Sequence, residues 1–393
     1  MESRPSVRHI TVSSVFTGGV WIRLLTGWGA VVLLAVFGFD GQAMSGTVLS
    51  LALTLLVALI AYCAFGVVQQ AEHLARRLGD PYGSLILTLS IVIIEVILIM
   101  AVMLGPGASA TIARDSVMAV SMVIMNLVVG LSLLAGALRH GSLRLNSAGS
   151  STYLAMLIVL LSLGLVMPAA LGDAGSYTGA QQVVIVIITV AVYAFFLLRQ
   201  TTTEAGDYQE ELMLSPAGPE KACAVISVPV TQVVREHHVE VISRAVILVV
   251  TVLPIVLLSH DMAALLDVGL MRLDAPVALA GLLIAMIVFL PEGITALRAG
   301  LNGEAQRVIN LSHGALVSTV GLTIPAVLVI GAATGQTVIL GESMPHIILL
   351  AVSVLLAMNT VLAKRISAGH GAVHLAVFVA YGMTLFTAPG IPH

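Results

Sequence analysis

Runs of about 20 apolar residues, separated by short polar stretches, recur along the whole chain and constrain its fold more than any other feature. A helix of about this length crosses the hydrocarbon core of a lipid bilayer. The composition agrees, because 9% of the residues are charged, against about 25% in soluble domains. The runs are continuous and not alternating, so they predict membrane-spanning helices.

Eleven such spans are predicted, at residues 19–38, 46–68, 82–104, 115–138, 151–171, 180–198, 241–258, 275–298, 307–331, 345–363 and 371–389. With the N-terminus in the cytoplasm, 15 of the 17 Lys and Arg residues lie at cytoplasmic ends, and only Arg114 and Arg272 lie outside. Such a distribution follows the positive-inside rule. It predicts a multi-pass protein of the inner membrane, with a cytoplasmic N-terminus and a periplasmic C-terminus.

A long polar stretch at residues 199–240 divides the spans into groups. We interpret it as an acidic cytoplasmic loop, either a solvated linker or a cation sensor. The remaining parts are residues 1–45, with the N-terminal tail and first helix, and five spans in each of residues 46–198 and 241–393. Because five is odd, the two groups cross the membrane in opposite senses, as inverted repeats do. The predicted fold is an all-α polytopic membrane protein, with one N-terminal helix and two inverted five-helix repeats.

Two acidic residues, Glu95 and Glu292, interrupt apolar spans, whereas the other 18 Asp and Glu are placed in loops or at span ends. Each belongs to the second span of its group of five. An ionised carboxylate at the bilayer centre costs roughly 2.5 kcal/mol or more. Such a group is neutralised by a proton or a cation, or it faces water. The alternative is a structural role for both acids, in hydrogen bonds to neighbouring helices.

A carboxylate that accepts either a proton or a cation is the minimum part that exchange requires. Two such groups offer the oxygen ligands that a hard cation such as calcium prefers. Pro291 and Gly293 flank Glu292. A proline within a helix frees a backbone carbonyl, and freed carbonyls coordinate ions where transporter helices break. We therefore assign Pro291 and Gly293 to gating of the site.

Polar residues in the following spans are further candidates. Asn126 is either a cation ligand or a link between helices. Ser318 and Thr319 are either ligands or helix-packing residues. His313 is a candidate for gating or pH sensing, because histidine titrates near neutral pH, or it lies at the cytoplasmic mouth.

Two groups of motifs resemble a known family. They are Gly79–Leu89 running into Glu95, and Leu290–Gly293 followed by Asn310–Leu316 and Gly321–Pro325. These segments resemble the two repeats of the bacterial ChaA-type calcium/proton antiporters. That group belongs to the cation/proton exchanger branch of the calcium/cation antiporter superfamily.

The resemblance implies a core of ten helices in two inverted repeats, preceded by one extra helix. It also implies that the repeat acids, here Glu95 and Glu292, bind the cation and the protons. Members of the ChaA type are linked with sodium and potassium exchange as well.

We therefore predict an antiporter, not an enzyme, that moves cytoplasmic Ca²⁺ outward in exchange for protons, with Na⁺ or K⁺ as further candidate cations. The predicted partners are these ions and the lipid bilayer, with no cofactor and no nucleic acid. The alternative is a monovalent cation/proton antiporter with little calcium activity. A pump driven by ATP is disfavoured because no P-loop motif occurs, and an intramembrane metallohydrolase because no His-Glu-x-x-His motif occurs. A passive channel is the remaining rival.

Overall fold

The computed structural model describes residues 17–38, 41–78, 110–201, 238–276 and 278–386, with Val92, Val96, Ile99, Met100 and Met103. Most of the third predicted span, including Glu95, lies outside the described residues, as does most of the predicted acidic loop.

The described helices are α1 Gly18–Phe37, α2 Gly46–Leu78, α3 Ile112–Met122, α4 Val129–His140, α5 Ser147–Leu161, α6 Met167–Leu171, α7 Gly179–Thr201, α8 His238–Arg272, α9 Ala278–Val288, α10 Leu290–Leu301, α11 Ala305–Thr334, α12 Met344–Leu362 and α13 Ala368–Leu385. Two π-helical segments connect consecutive helices without a loop. Val123–Val128 joins α3 to α4, and Ser162–Val166 joins α5 to α6. No β-strand occurs within the part of the chain that the structure describes. The predicted all-helical membrane fold is confirmed.

Nine described helices are long and apolar enough to cross a membrane, or ten if α9 and α10 form one bent span. They correspond to ten of the eleven predicted spans, and the remaining one is the third. The protein is therefore a multi-pass membrane protein. The inverted relation between the two groups of five, and the domain boundaries drawn from it, stay predictions.

Helix α8 departs most from the predicted boundaries. The span predicted at 241–258 continues as one helix of 35 residues to Arg272. A rise of about 1.5 Å per residue makes this helix longer than the bilayer core of about 30 Å. Asp261 and Asp267, which were placed outside a span, therefore lie on the helix. The charges end the apolar window, but residues 261–272 contain no proline to stop the helix.

The most buried spans lie at the centre of the bundle. Ile112–His140 has 83% of its spanning window buried and Ala305–Thr334 has 72%, against 11% for Gly18–Phe37. The first two are therefore central and α1 is peripheral. Helix α4 packs against α10 and α13, and α11 packs against α5, α7 and α10.

Small residues allow the close packing of α4 and α10. A Cβ atom added to Gly136 would meet the carbonyl oxygen of Gly300, and one added to Gly300 would meet that of Ser132. Glycine at such positions lets two helix backbones approach each other, as is common between membrane helices. This contact holds α10, and with it Glu292, against the centre of the bundle.

Candidate functional site

Glu292 lies just after a break in its span. Helix α9 ends at Val288, α10 begins at Leu290, and the two are bent by 60°. Phe289 has left the helical conformation, with φ −86° and ψ 1°. The interruption predicted for this span is thus present. Pro291 lies in the first turn of α10, where a missing backbone N–H removes no helical hydrogen bond.

The position of Glu292 at the start of α10 affects its charge. The residue is 7% exposed and lies in the first turn of the helix. The N-terminal end of a helix carries roughly half a positive charge, which stabilises a nearby carboxylate. The start of α10 within the span therefore offsets part of the cost of burying an ionised Glu292.

The neighbours of α10 include α2, α4, the π segment Val123–Val128 and α11. A Cβ atom at Gly293 would lie 3.5 Å from the side chain of Val128. The π segment is thus in van der Waals contact with the turn that carries Glu292.

Helix α11 presents two different faces. Gly314, Ser318 and Gly321 share one face, because a helix repeats every three to four residues. A Cβ atom at Gly321 would lie 3.0 Å from the ring of Tyr193 on α7, so this face packs against α7. The Oγ of Ser318 donates to the carbonyl oxygen of Gly314 at 3.0 Å.

The opposite face of α11 carries Ser312, Thr319 and Thr323, all buried. Because the first face packs against α7, this face is directed towards the other neighbours of α11, which include α10 and α4. The structure therefore separates two of the candidate ligands. Thr319 lies on the face directed towards the helix of Glu292, whereas Ser318 lies on the packing face.

Asn126 links three helices. It lies in the π segment and is fully buried. Its Nδ2 donates to Ser353 Oγ on α12 at 2.8 Å, and its Oδ1 lies 3.4 Å from Nδ1 of His374 on α13. His374 Nε2 is 3.2 Å from Thr360 Oγ1. In this conformation Asn126 has the contacts of an interhelical link.

His313 is 1% exposed on α11 and does not lie at an open mouth. Both of its ring nitrogens are buried without a hydrogen-bond partner among the described residues. The hydroxyl groups of Ser312 and Thr323 have the same property within the described part of the chain. Most buried polar groups are hydrogen-bonded, so such a set calls for an explanation.

A second buried glutamate, Glu342, was missed by sequence reasoning. Its side chain is 1% exposed, and it contacts His346 at 2.8 Å and Arg114 at 3.9 Å. In the sequence it belongs to a polar connection between two spans, which gives no sign of burial. His346 follows Glu342 by four residues, whereas Arg114 is distant in the chain, so the local pattern shows only one of the two partners.

The described residues of the site form no evident cluster of metal ligands. Among the described residues, no group of three or more His, Cys, Asp or Glu side chains is arranged to hold a metal ion. Glu95, the predicted partner of Glu292, lies outside those residues.

Comparison with known proteins places the chain in a family. Residues 48–202 match the model of the family described as "Sodium/calcium exchanger protein". The sodium-potassium/proton antiporter ChaA of Escherichia coli (strain K12) is 33% identical over 358 residues, which cover 91% of this chain and 94% of ChaA. The chain belongs to the sodium/calcium exchanger family. The match to ChaA supports the cation/proton exchanger branch of that family, as the sequence motifs predicted.

Solved structures agree on the fold of this exchanger. Native YfkE has a TM-score of 0.66 and 14% identity, over 94% of this chain and all of YfkE. The H⁺/Ca²⁺ exchanger CAX has a TM-score of 0.67 and 14% identity, over 97% of this chain and 90% of CAX. At this identity the likeness concerns the fold alone. Family membership makes ion antiport across a membrane the general activity of the chain.

Proposed function

We propose that the protein is a secondary active antiporter that exchanges cytoplasmic Ca²⁺ for protons, with Na⁺ or K⁺ as further cations. In this proposal Glu95 and Glu292 bind the cation and the protons in turn. No cofactor takes part in this proposal. The protein resides in the inner membrane with its N-terminus in the cytoplasm.

The placement of Glu292 carries the proposal. Glu292 is buried at the start of a helix that begins within a span, and the partial positive charge of that helix end stabilises its ionised form. Such a group can bind a cation or a proton from either side as the bundle alternates. Half-helices that begin at mid-membrane are a common way for transporters to build ion sites.

The two charges of Glu95 and Glu292 account for coupling. With both carboxylates ionised and empty, the site carries two negative charges in a region of low dielectric constant, and alternation is disfavoured. One divalent cation cancels these charges, and so do two protons. Only loaded forms then cross, which prevents a leak of either ion.

Side chains near Glu292 supply the remaining oxygen ligands in this proposal. Ca²⁺ takes about 6–8 oxygen atoms, and the face of α11 with Thr319 carries three buried hydroxyl groups. We include Asn126 and Ser318 as ligands of lower rank, since both have other hydrogen-bond partners here.

The break before Glu292 gives Pro291 and Gly293 a role in gating, because it allows α10 to move relative to α9. We also propose that His313 senses pH or takes part in gating. Its ring nitrogens are buried without hydrogen-bond partners among the described residues. Protonation of the ring or movement of the neighbouring helices would therefore change what these nitrogens contact.

A second candidate function is monovalent cation/proton antiport with little calcium activity. The name of ChaA, a sodium-potassium/proton antiporter at 33% identity, favours it. The calcium candidate finds support in the fold of CAX, at 14% identity. The two candidates differ in the cation that neutralises the carboxylates.

Everted membrane vesicles distinguish the candidates. A respiratory substrate acidifies the vesicle interior, and a pH-sensitive dye reports proton release when Ca²⁺, Na⁺ or K⁺ is added in turn. Release on addition of Ca²⁺ supports the first candidate, and release with Na⁺ or K⁺ alone supports the second. Vesicles without the protein serve as the control. No release with any of the three cations would overturn both candidates.

A further inference from the structure

A buried pair of ionisable residues lies at the end of the bundle that the charge distribution predicts to be periplasmic. Glu342 precedes α12, and His346 lies in the first turn of that helix. The side chains are 1% and 19% exposed, and 2.8 Å separates Glu342 Oε2 from His346 Nδ1. The transport mechanism proposed above uses neither residue.

Each member of the pair has a second hydrogen-bond partner. Glu342 Oε2 also accepts from the backbone N–H of Ser343 at 3.1 Å. His346 Nε2 lies 3.2 Å from Thr384 Oγ1, near the end of α13. The hydroxyl of Thr384 lies 2.7 Å from the carbonyl oxygen of Tyr381 and donates to it.

The donors and acceptors in this chain of contacts can be counted. A hydroxyl has one hydrogen. Since Thr384 donates it to Tyr381, Thr384 accepts from Nε2 of His346. An ionised Glu342 is an acceptor only, so Nδ1 of His346 must carry a hydrogen as well.

Both ring nitrogens therefore carry hydrogen when Glu342 is ionised. Alternatively the same proton resides on Glu342, which then donates to Nδ1. In either arrangement the pair holds one proton more than a carboxylate and a neutral imidazole do.

The surrounding charges agree with this count. Arg114 on α3 lies 3.9 Å from Glu342 Oε1 and 2.8 Å from Asp115 Oδ1. Tyr381 on α13 contacts the ring of His346, with 5.6 Å between ring centroids. With the proton bound, the two positive and two negative groups balance. Without it, a buried negative charge is left over, which is unfavourable.

We propose that Glu342 and His346 form a binding site for a single proton, separate from the site around Glu292. The bound proton stabilises the contact between α12 and α13 at their common end. The adjoining loop is already tied to the first half of the chain. The backbone N–H of Glu342 donates to Leu165, and that of Ile339 donates to Ala110. Removing the proton leaves one hydrogen bond fewer, between His346 and either Glu342 or Thr384, and loosens this end of the bundle.

The effect on exchange rests on the proposed function, whereas the proton site itself does not. The site is tested by nuclear magnetic resonance of purified protein labelled with ¹⁵N-histidine and ¹³C-carboxyl glutamate, from about pH 5 to 9. Signals are assigned by their loss in His346→Gln and Glu342→Gln. We expect one proton to leave the pair as pH rises. A neutral His346 together with an ionised Glu342 at every pH would overturn the proposal.

Transport measurements test whether the bound proton stabilises the contact between α12 and α13. In vesicles with the pH of each side set independently, the exchange rate of wild type should change at least about twofold across the transition of the pair. His346→Gln and Glu342→Gln should lose this change and keep exchange. His260→Gln, on the exposed surface of α8, is the matched control and should retain it. If the exchange rate of His346→Gln depended on pH as that of wild type does, the proposed effect on the contact between α12 and α13 would be overturned. Absence of exchange in wild type would contradict the proposed function, and the resonance experiment would still decide the proton site.

Discussion

Two buried glutamates lie in contrasting surroundings in this exchanger. Glu342 lies beside ionisable side chains, with His346 at 2.8 Å and Arg114 at 3.9 Å. Glu292 lies at the start of α10, a helix that packs against α11. Fixed charges close to a carboxylate hold it in one state, whereas the partial positive charge of a helix start stabilises it only modestly. In the proposed function Glu292 serves transport, whereas Glu342 and His346 form the proposed proton site.

The largest effect is expected from the same substitution at each glutamate. In the proposed mechanism Glu292→Gln removes the charge that binds the cation, and it should reduce exchange roughly 100-fold or more. Glu342→Gln should retain exchange at its optimal pH. Vesicle assays with matched amounts of inserted protein measure both. Glu304→Gln, at a residue paired with Arg307 at the surface, is the control for the substitution. Equal losses at Glu292 and Glu342 would remove the functional distinction between them.

The contrast also explains what the sequence reveals and what it conceals. Glu292 is visible because an acid within an apolar run is costly wherever the run lies in the bilayer, and Pro291 marks the break. Glu342 is harder to recognise because it lies in the connection between two spans and its partner Arg114 is distant in the chain. The length of α8 was underestimated because charges at Asp261 and Asp267 end an apolar window without ending a helix.

The candidate ligands show the same limit. Spacing along α11 separates Ser318 from Thr319, but which face points to α10 depends on how Tyr193 packs. The sequence does not decide whether Asn126 is a ligand or a link between helices, because its contacts with Ser353 and His374 are tertiary. The existence of the helices and the acids within apolar runs could thus be predicted from local chemistry. The side chains that contact these residues could not.

A second prediction concerns the contact that holds α10 in place. Gly300→Val would force α10 away from Ser132, since the backbones of the two helices touch there. Overpacking typically costs about 1–3 kcal/mol, and backbone atoms cannot rotate away as side chains do. We expect a lower temperature of unfolding and weaker exchange. Gly29→Val, at a position on α1 with nothing within 4 Å, is the control. An unchanged unfolding temperature for Gly300→Val would contradict this packing.

A third prediction separates the two roles of Asn126. Asn126→Ala and Ser353→Ala both break the 2.8 Å hydrogen bond, and each should destabilise the protein by about 1–3 kcal/mol. If Asn126 also binds the cation, as proposed, only Asn126→Ala should weaken the apparent cation affinity. The expected loss is roughly tenfold, because the substitution removes one neutral oxygen ligand. Unfolding curves and the cation dependence of exchange measure the two effects. Identical affinities for both variants would leave Asn126 as a link between helices only.

The smallest expected effect distinguishes the two faces of α11. Thr319→Val keeps the size of the side chain and removes a hydroxyl on the face directed towards α10, whereas Ser318→Ala removes one on the face packed against α7. Losing one neutral oxygen ligand should weaken apparent cation affinity roughly three- to tenfold, because a single hydrogen-bond-strength interaction is worth about 0.5–1.5 kcal/mol. Ser318→Ala loses a hydrogen bond to its own helix and should change affinity less than about twofold. The cation concentration for half-maximal exchange, measured at one pH for both variants, gives the comparison. A larger effect at Ser318 than at Thr319 would mean that the ion approaches α11 from the side of Tyr193, and the site would then have to be moved away from the face directed towards Glu292.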